Sequence, residues 1–326
     1  MMPLRKSAAE LLQCDFNDVC VGSSATEILS SIAWAIAPKE GTNIVSTKAS
    51  FPSTVYPWTR VSQEFNSEIR LAPHDNFFYT KQEDILNLID SNTSVVTLSH
   101  VEYANGQHYD LDLFSKAAHE VGALLIIDAT QSMGAIPIDA YNSGADAIVS
   151  SGYKWLRGTF GAAVAYISPK IYSSYIPGLL GFRSHNEMWD MRADRLDLPN
   201  SASCFEFSTI NFGAALGLSV AIDEILEYGI DNVWKHNLEL INLIISRCSE
   251  MNLRIASPLD NSERSAIISL VPPSGYDAED IVNRLQNEYG ILVTNRAGLI
   301  RISPHMDNTS EEVIFLMDSI KEILTS

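Results

Sequence analysis

Short apolar runs alternate with amphipathic segments along most of the chain. Residues 123–128 form an apolar run that ends in Asp128, and residues 146–150 form a second run before a polar turn. Runs of this length are typical of strands buried on both faces of a parallel sheet. Between such runs, residues 111–121 place apolar side chains at helical spacing, and Gly122 is a natural C-cap. This alternation predicts an α/β fold with a mainly parallel sheet and helices on both faces.

The same criteria predict further elements on both sides of these runs. Strands are predicted at 19–21, 43–46, 69–72, 94–100 and 162–167, and helices at 7–12, 28–36 and 80–90. Residues 177–200 show no periodicity, and we expect them to form a loop over a site.

The C-terminal third has a different pattern. Two long amphipathic helices are predicted at 212–228 and 232–251, followed by a strand at 267–271, a helix at 278–289 and a strand at 291–293. We therefore predict two domains, a large one at 1–230 and a small α+β domain at 231–326.

Composition narrows the classes of protein that fit. The 326 residues are 46% hydrophobic and 19% charged, which is typical of a globular protein with a sizeable core. Lys and Arg number 22 against 40 Asp and Glu, so the net charge is −18. This excess of acid argues against nucleic acid or an anionic membrane as a partner.

The cysteines and the apolar runs indicate the compartment. Cys14, Cys20, Cys204 and Cys248 are scattered without C-x-x-C spacing, so neither a metal site nor a disulfide framework is predicted. Since no apolar run has the length of a membrane span, we expect a cytoplasmic protein.

An acid and a lysine stand at the ends of two neighbouring predicted strands. Asp128 ends one strand, and Lys154 follows the next in a polar turn. Ligands of doubly wound sheets bind beyond the carboxyl ends of the strands. A pyridoxal phosphate (PLP) enzyme needs such a pair, since the lysine forms a Schiff base and the acid keeps the pyridine nitrogen protonated. No G-x-G-x-x-G follows a strand, which counts against a nicotinamide site.

Two ordered motifs carry a resemblance to a known family. Asp128-Ala129-Thr130-Gln131 is followed by Ser151-Gly152-Tyr153-Lys154. With these motifs the chain resembles the class V aminotransferase family of fold-type I PLP enzymes, which includes cysteine desulfurases, selenocysteine lyases, kynureninase and isopenicillin N epimerase-like proteins. The resemblance covers nearly the whole chain. It implies a large PLP-binding domain, a small C-terminal domain and a small amino-acid substrate.

The resemblance assigns roles within these motifs. It implies that Lys154 carries the cofactor as a Schiff base and removes the substrate α-proton, while Asp128 contacts the pyridine nitrogen. Gln131 is expected to hydrogen-bond the phenolic oxygen of PLP. The hydroxyls of Ser151 and Tyr153 are expected at the phosphate.

A phosphate-binding turn is predicted near the N-terminus. Small residues at 22–26 lead from a strand into the helix that follows. Backbone N–H groups of such a turn can surround a phosphate, although Ser24 or Thr26 would also serve as a simple N-cap. Because the family has its phosphate turn here, we assign Ala25 and Thr26 to the cofactor phosphate.

Two further side chains are candidates for contacts with the cofactor ring. Phe51 matches the family position that stacks on the pyridine, although it could also be a core residue before Pro52. His100 ends a predicted strand where relatives contact the phenolic oxygen, and a structural role is the alternative.

A segment before the first long helix indicates a dimer. Residues 205–211 resemble a family segment whose threonine reaches the PLP phosphate of the neighbouring subunit. Thr209 matches that threonine, which implies a homodimer whose active site is completed by the neighbouring subunit. Ser208 replaces the family's glycine and Cys204 its leading arginine, so the match is partial here.

An arginine near the C-terminus is the candidate for binding the substrate α-carboxylate. The planar guanidinium suits a carboxylate because it donates two parallel hydrogen bonds. Arg301 opens a family-like Arg-x-Ser pattern that continues to Asn308 and Thr309, and Arg296 is the weaker candidate.

Two departures from the family pattern leave three hypotheses. Cysteine desulfurases carry a nucleophilic cysteine before this arginine, whereas residues 297–300 contain none, so the persulfide mechanism is disfavoured. The chain also begins almost at the phosphate turn, where relatives have a preceding segment. The main hypothesis is a PLP enzyme acting at the α-carbon of an amino acid, as an aminotransferase or C–S lyase. The alternatives are desulfurase-like or selenocysteine lyase-like sulfur mobilisation, or a catalytically silent PLP-fold binding protein.

Overall fold

The computed structural model describes residues 1–325. The helices are α1 Met2–Leu11, α2 Ala25–Ile36, α3 Pro52–Phe65, α4 Gln82–Leu86, α5 Leu111–Glu120, α6 Pro169–Tyr172, α7 Phe212–Tyr228, α8 Ile230–Glu250, α9 Ala278–Tyr289 and α10 Ser310–Thr325. The strands are β1 Val19–Gly22, β2 Asn43–Thr47, β3 Glu68–Ala72, β4 Thr93–Ser99, β5 Leu124–Asp128, β6 Ala147–Ser151, β7 Ala163–Ile167, β8 Ile268–Leu270, β9 Thr294–Arg296 and β10 Leu299–Ile302.

Seven strands form one sheet in the order β1-β7-β6-β5-β4-β2-β3. The pairs from β3 to β6 are parallel, whereas β7 runs antiparallel to β6 and β1. Strand β3 lies on the outer side of β2, whereas β4 and then β5, β6 and β7 follow on the opposite side of β2. The order in which successive strands join the sheet therefore changes direction between β2 and β4. Such a switch point is where open α/β sheets bind ligands. The predicted mainly parallel α/β fold is confirmed.

Each face of this sheet packs against helices. In β5, Leu125 and Ile127 join the core shared with α1, α5 and α7, whereas Leu124 and Ile126 join the core shared with α2 and α3. The period of two in a strand sends successive side chains to opposite faces. Because both faces are covered, every residue of β5 is buried, as its unbroken apolar run predicts.

A second, smaller sheet follows α8. Its order is β8-β10-β9, with both pairs antiparallel. It packs with α8, α9 and α10 around a separate hydrophobic core. Helix α8 contributes Val233 to a core of the large sheet and Leu240 to the core of the small one, so it belongs to both regions. The division at residue 230 stays a prediction, and Ser326 lies outside the described residues.

Three local predictions differ from the structure. No strand forms at 291–293; pairing begins at β9, because the two-residue turn Ala297–Gly298 sets Arg296 opposite Leu299. Helix α3 is not predicted from the sequence, because Pro52 suggests a turn there. Proline is well tolerated in the first helical turn, where Pro52 lies, and the helix also accommodates Pro57 in its interior. The helix predicted at 80–90 shortens to α4.

Within residues 1–325, no helix has both the length and the apolar character that crossing a bilayer requires.

Candidate active site

A cleft of about 400 Å³ lies at the carboxyl ends of the parallel strands. The N-terminus of α2, the turn into α3, and the ends of β4, β5 and β6 contribute its walls. The lining residues are Ala25, Thr26, Phe51, Ser53, Ser99, Val101, Tyr103, Asp128, Thr130, Gln131, Ser151, Tyr153 and Lys154. Most of the predicted cofactor residues therefore meet in one place.

Asp128 is held at the floor of this cleft by hydrogen bonds to both of its carboxylate oxygens. Thr54 Oγ1 donates to Oδ2 at 3.1 Å, and the backbone N–H of Thr130 donates to Oδ1 at 3.0 Å. The side chain is buried, with 5% of its surface exposed. Because both oxygens accept, these two hydrogen bonds fix the orientation of the carboxyl group. A fixed anion at this position suits a protonated pyridine nitrogen.

Lys154 lies in the turn that follows β6. Gly152 allows this turn to pack closely, because a Cβ atom there would lie 2.6 Å from Leu218 of α7. Burial lowers the pKa of the Lys154 amine to about 8, with Arg301 and Arg296 acting in the same direction and Asp128 opposing them. A lysine with such a pKa is partly neutral near pH 7, so its nitrogen can act as a nucleophile or base.

The predicted phosphate turn is built as an N-terminal helix cap. Ser24 caps α2, since its Oγ accepts from the Glu27 N–H at 3.2 Å. The Ala25 N–H donates to Ser151 Oγ at 3.2 Å, and Thr26 Oγ1 donates to Ser53 Oγ at 2.8 Å. The helix N-terminus and several hydroxyls thus converge at one end of the cleft, an arrangement that suits a phosphate.

Gln131 presents unused hydrogen-bond donors to the cleft. Its Oε1 accepts from Trp155 Nε1 at 3.0 Å. Because an indole N–H only donates, this contact fixes the orientation of the amide. The buried Nε2 is then left without a hydrogen-bond partner within the described chain. Such a donor would be satisfied by an oxygen of a bound ligand, and it fits the phenolic oxygen of PLP.

Aromatic side chains border the opening of the cleft. The Phe51 ring packs edge-on against Tyr103, with centroids 5.5 Å apart, and lies 5.4 Å from Lys154 Nζ. Phe51 is 40% exposed, so it is available to cover a ring rather than buried in the core. Tyr153 stacks on Phe160 at 4.4 Å. These rings can fix the plane of an aromatic cofactor.

A second cleft, of about 570 Å³, adjoins the first and shares Gln131 and Lys154 with it. Arg301 lines this second cleft from β10 of the small sheet. The other lining residues are Trp155, Ser303 and His305. Arg301 Nη1 donates to the Tyr103 carbonyl at 2.8 Å, whereas its Nε is buried and has no hydrogen-bond partner among residues 1–325. Burial lowers the pKa of this guanidinium to about 10. An arginine that is desolvated beside the lysine is well placed to bind a carboxylate.

Two contacts hold the Arg301 segment against the lysine turn. His305 Nε2 donates to the Trp155 carbonyl at 2.8 Å. Arg157 pairs with Asp307 through two hydrogen bonds of 2.9 Å each. The distance between Lys154 and Arg301 is therefore set by the fold rather than by a free loop.

Three predicted site residues are not brought into either cleft. His100 faces away, because its Nδ1 lies 2.9 Å from Ser132 Oγ and its Nε2 lies 2.8 Å from Nε2 of His108. Arg296 is exposed and donates to the Asn295 carbonyl. Thr209 is exposed and does not line the cleft of its own chain.

Several side chains that line or support the site are not assigned a role from the sequence. Tyr103 lies in the loop after β4, where its position beyond a strand end was an available signal, and Ser53 lies in the first turn of α3. Thr54 was missed together with α3, and Thr130 was overlooked inside the motif that contains Asp128. Trp155 and His305 lie beside predicted residues, but their contacts depend on the packing of the two sheets.

The segment before Arg301 contains no loop that could hold a nucleophile. Ala297 and Gly298, with φ of 54° and 82°, form the tight turn between β9 and β10. All four cysteines are free, and none lines the two clefts. Burial raises the pKa of Cys14, Cys204 and Cys248 to about 12, and that of Cys20 well above its usual range. These thiols therefore lack thiolate character at neutral pH.

The comparisons with known proteins agree with this geometry. The family model for class-V aminotransferases matches residues 1–316. The chain belongs to the class-V aminotransferase family. A probable cysteine desulfurase from Pyrococcus abyssi is 26% identical, over 99% of this chain and 82% of that relative.

Solved structures show the same fold. The apo cysteine desulfurase from Thermococcus onnurineus NA1 has a TM-score of 0.89 at 23% identity, covering 99% of this chain and 83% of that one. A cystine C–S lyase in complex with its product, cysteine persulfide, has a TM-score of 0.89 at 19% identity, covering 98% and 85%.

The family and the residues of the cleft together define the cofactor. Asp128, Lys154, the unpartnered Gln131 Nε2 and the N-terminus of α2 match the ring nitrogen, aldehyde, phenolic oxygen and phosphate of pyridoxal 5′-phosphate. The protein is a PLP-dependent enzyme of the class V aminotransferase type.

Proposed function

We propose that this protein cleaves the Cβ–S bond of a cysteine-class amino acid and releases the sulfur into solution rather than storing it on a cysteine of its own. The names of the relatives favour sulfur mobilisation over transamination. The proposed release of sulfur into solution is supported by the two-residue turn Ala297–Gly298, which leaves no room for the nucleophilic loop of a desulfurase.

Each proposed role follows from the position of a residue in the two clefts. Arg301 binds the substrate α-carboxylate, and its buried Nε, which lacks a partner within the described residues, is an available donor. The neutral amine of Lys154 takes the α-proton, since burial lowers its pKa to about 8. When bound, PLP withdraws electrons from the α-carbon. Asp128 keeps the ring nitrogen protonated, and Gln131 Nε2 donates to the phenolic oxygen.

The fate of the sulfur follows from the absence of a thiol in the clefts. With no cysteine there to attack it, sulfur leaves with the electron pair of the Cβ–S bond and takes up a proton. Cysteine and water would then give pyruvate, ammonia and hydrogen sulfide. Cystine would give cysteine persulfide in place of the sulfide.

A product assay tests this function. Holoenzyme is incubated separately with cysteine, cystine, selenocysteine, serine and alanine, and pyruvate, alanine, ammonia and sulfide are quantified. We expect pyruvate and reduced sulfur in equal amounts from a sulfur substrate. Alanine formed only with an added thiol would instead indicate desulfurase chemistry with an external acceptor. Dependence on an added α-keto acid would indicate an aminotransferase, and no turnover with any substrate would indicate a silent binding protein.

We also propose a cytoplasmic homodimer in which the neighbouring subunit completes the site. Thr209 is exposed and does not line the cleft of its own chain, which leaves it available to a second copy. Helix α7 exposes Phe212, Leu216 and Val220, which recur every four residues and so lie on one face. Four free cysteines suit a reducing compartment. Sedimentation velocity tests the dimer, and a monomeric, fully active holoenzyme would contradict it.

A further inference from the structure

Glu102 is a buried acid that lines neither of the two clefts. It lies in the segment after β4 and is fully buried, with 0% of its surface exposed. Its Oε1 accepts from Ser50 Oγ at 2.9 Å, whereas its Oε2 is buried without a hydrogen-bond partner within the described chain. Acids are rarely buried in this way unless they are paired or uncharged.

The contacts of Glu102 lead directly to the wall of the cofactor cleft. Its partner Ser50 immediately precedes Phe51, and the Phe51 N–H donates to Ser99 Oγ at 3.4 Å. The Ser99 N–H in turn donates to Ser50 Oγ at 3.5 Å. Glu102 is also bonded in sequence to Tyr103, which packs against Phe51 and holds Arg301 through its carbonyl. One buried carboxyl group thus supports the aromatic side of the site.

The surroundings of Glu102 favour its protonated form. Burial is the main cause that raises its pKa to about 8, and the negative charge of Asp128 adds to the shift. The hydroxyls of Ser50, Tyr109 and Ser99 act in the opposite direction. The phenol of Tyr109 also faces Glu102, and burial raises its pKa well above the usual range, so it stays neutral. Ionisation of Glu102 would therefore place an uncompensated anion near Asp128.

We propose that Glu102, held as an uncharged carboxylic acid, is a positioning residue for the cofactor. It fixes the turn from Ser50 to Phe51 and leaves the charge of Asp128 undisturbed beneath the ring. When Glu102 ionises in alkaline solution, this wall rearranges and the site binds the cofactor more weakly. The inference rests on the cofactor site and does not depend on which bond of the substrate is cleaved.

The variant Glu102→Gln separates charge from shape. A glutamine has the size of the protonated acid, can accept from Ser50 and does not titrate. Binding of pyridoxine 5′-phosphate to the apoenzyme provides the readout. This analogue has no aldehyde, so it forms no covalent bond with Lys154. The ionisable groups of the analogue, and Lys154, titrate in both the wild type and the variant. Their effects on binding therefore cancel in the ratio of the two dissociation constants.

We expect the ratio of the wild-type to the variant dissociation constant to rise between pH 7 and pH 9.5. Because the apparent affinity scales with the competent fraction, the rise reaches at most about 30-fold for an acid with a pKa near 8. Circular dichroism at each pH verifies that both proteins stay folded. Ser50→Ala, which removes the link to the turn, should shrink the ratio change when introduced into both proteins.

A ratio that stays constant across this pH range would overturn the proposal, because a merely space-filling Glu102 would not distinguish acid from amide. Failure of the wild-type protein to bind pyridoxine 5′-phosphate at pH 7 would overturn the cofactor site and this inference with it. Neither result depends on the product assay, so failure of the proposed function remains distinguishable.

Discussion

The two sheets contribute unequally to the site. The ends of β4, β5 and β6 in the large sheet, with the N-terminus of α2, supply the groups that match the cofactor. The small sheet supplies Arg301 and its neighbours Ser303 and His305, which border the adjoining cleft. The first region carries the family's ordered motifs, whereas the second has a tight turn where desulfurases carry their nucleophile. In the proposed function, the first, or cofactor, region sets the PLP chemistry, and the second, or substrate, region sets which PLP reaction follows.

The largest effect should come from the lysine of the cofactor region. Lys154→Ala removes the proposed base and the covalent attachment point, so we expect turnover to fall by about 10⁴-fold or more. Borohydride reduction followed by peptide mass spectrometry should locate the cofactor on Lys154 in the wild type and nowhere in the variant. Undiminished turnover of Lys154→Ala would contradict the proposed role of this lysine as base and attachment point.

The same lysine should titrate abnormally. Because burial lowers its pKa to about 8, its neutral fraction near pH 7.5 should exceed that of an ordinary lysine by roughly two orders of magnitude. The rate of amine modification in the apoenzyme, followed by peptide mass spectrometry, should therefore rise with pH and level off above about 8. Lys116, which is exposed and paired with Asp112, serves as the internal control. A midpoint for Lys154 that matches this control would refute the assignment.

In the substrate region, Arg301→Lys keeps the charge but loses the planar fork. We expect kcat/KM to fall about 10- to 100-fold, mainly through KM, since charge-assisted hydrogen bonds are lost. Arg296→Lys on the neighbouring strand is the matched control and should have little effect, because Arg296 is exposed and outside the clefts. Equal effects of the two substitutions would show that both arginines, or neither, bind the substrate carboxylate.

A smaller effect should come from the support of Asp128. Thr54→Val removes the hydrogen bond from Thr54 Oγ1 to Asp128 Oδ2, so PLP affinity should fall about 10-fold, as for a hydrogen bond to a charged group. Thr59→Val on the same helix is the control, since Thr59 donates to the Val55 carbonyl away from the cleft. Titration of the apoenzymes with PLP provides the measurement. Equal affinities would mean that Asp128 needs no support from α3.

The smallest effect should come from the cysteines. Single substitutions of Cys14, Cys20, Cys204 and Cys248 by alanine should change kcat by less than about threefold, because none of these thiols lines a cleft and all have raised pKa values. Steady-state rates with the preferred sulfur substrate test this, with thermal unfolding as the control for stability. Loss of turnover in one folded variant would reveal a thiol that takes part in the reaction.

The sequence allows much of the cofactor region to be predicted, for a physical reason. Asp128 and Ser151 end buried strands, and Lys154 follows three residues later, so their positions follow from local patterns and sheet geometry. His100 shows the limit of this reasoning. It follows a strand end as expected, but its orientation depends on Ser132 and His108, which the fold brings together.

Contacts between distant segments are the part that local patterns cannot supply. The support of Asp128 by Thr54 depends on α3, whose first residue, Pro52, suggests a turn in the sequence. The link between Tyr103 and Arg301 joins residues 198 positions apart. Glu102 looks like an ordinary loop acid until its burial is known. Strand β9 was displaced from its predicted position because the turn, rather than hydrophobicity, determines its register.

The most direct test of the proposed release of sulfur is intact-protein mass spectrometry of the holoenzyme, quenched during turnover of cysteine or cystine. Lys154→Ala treated in the same way provides the blank. We expect reduced sulfur to accumulate in solution while the protein gains no sulfur atom on any cysteine. One of the four cysteines could instead gain a sulfur adduct during a single turnover and lose it to a reducing thiol. That result would contradict the proposed release of sulfur into solution.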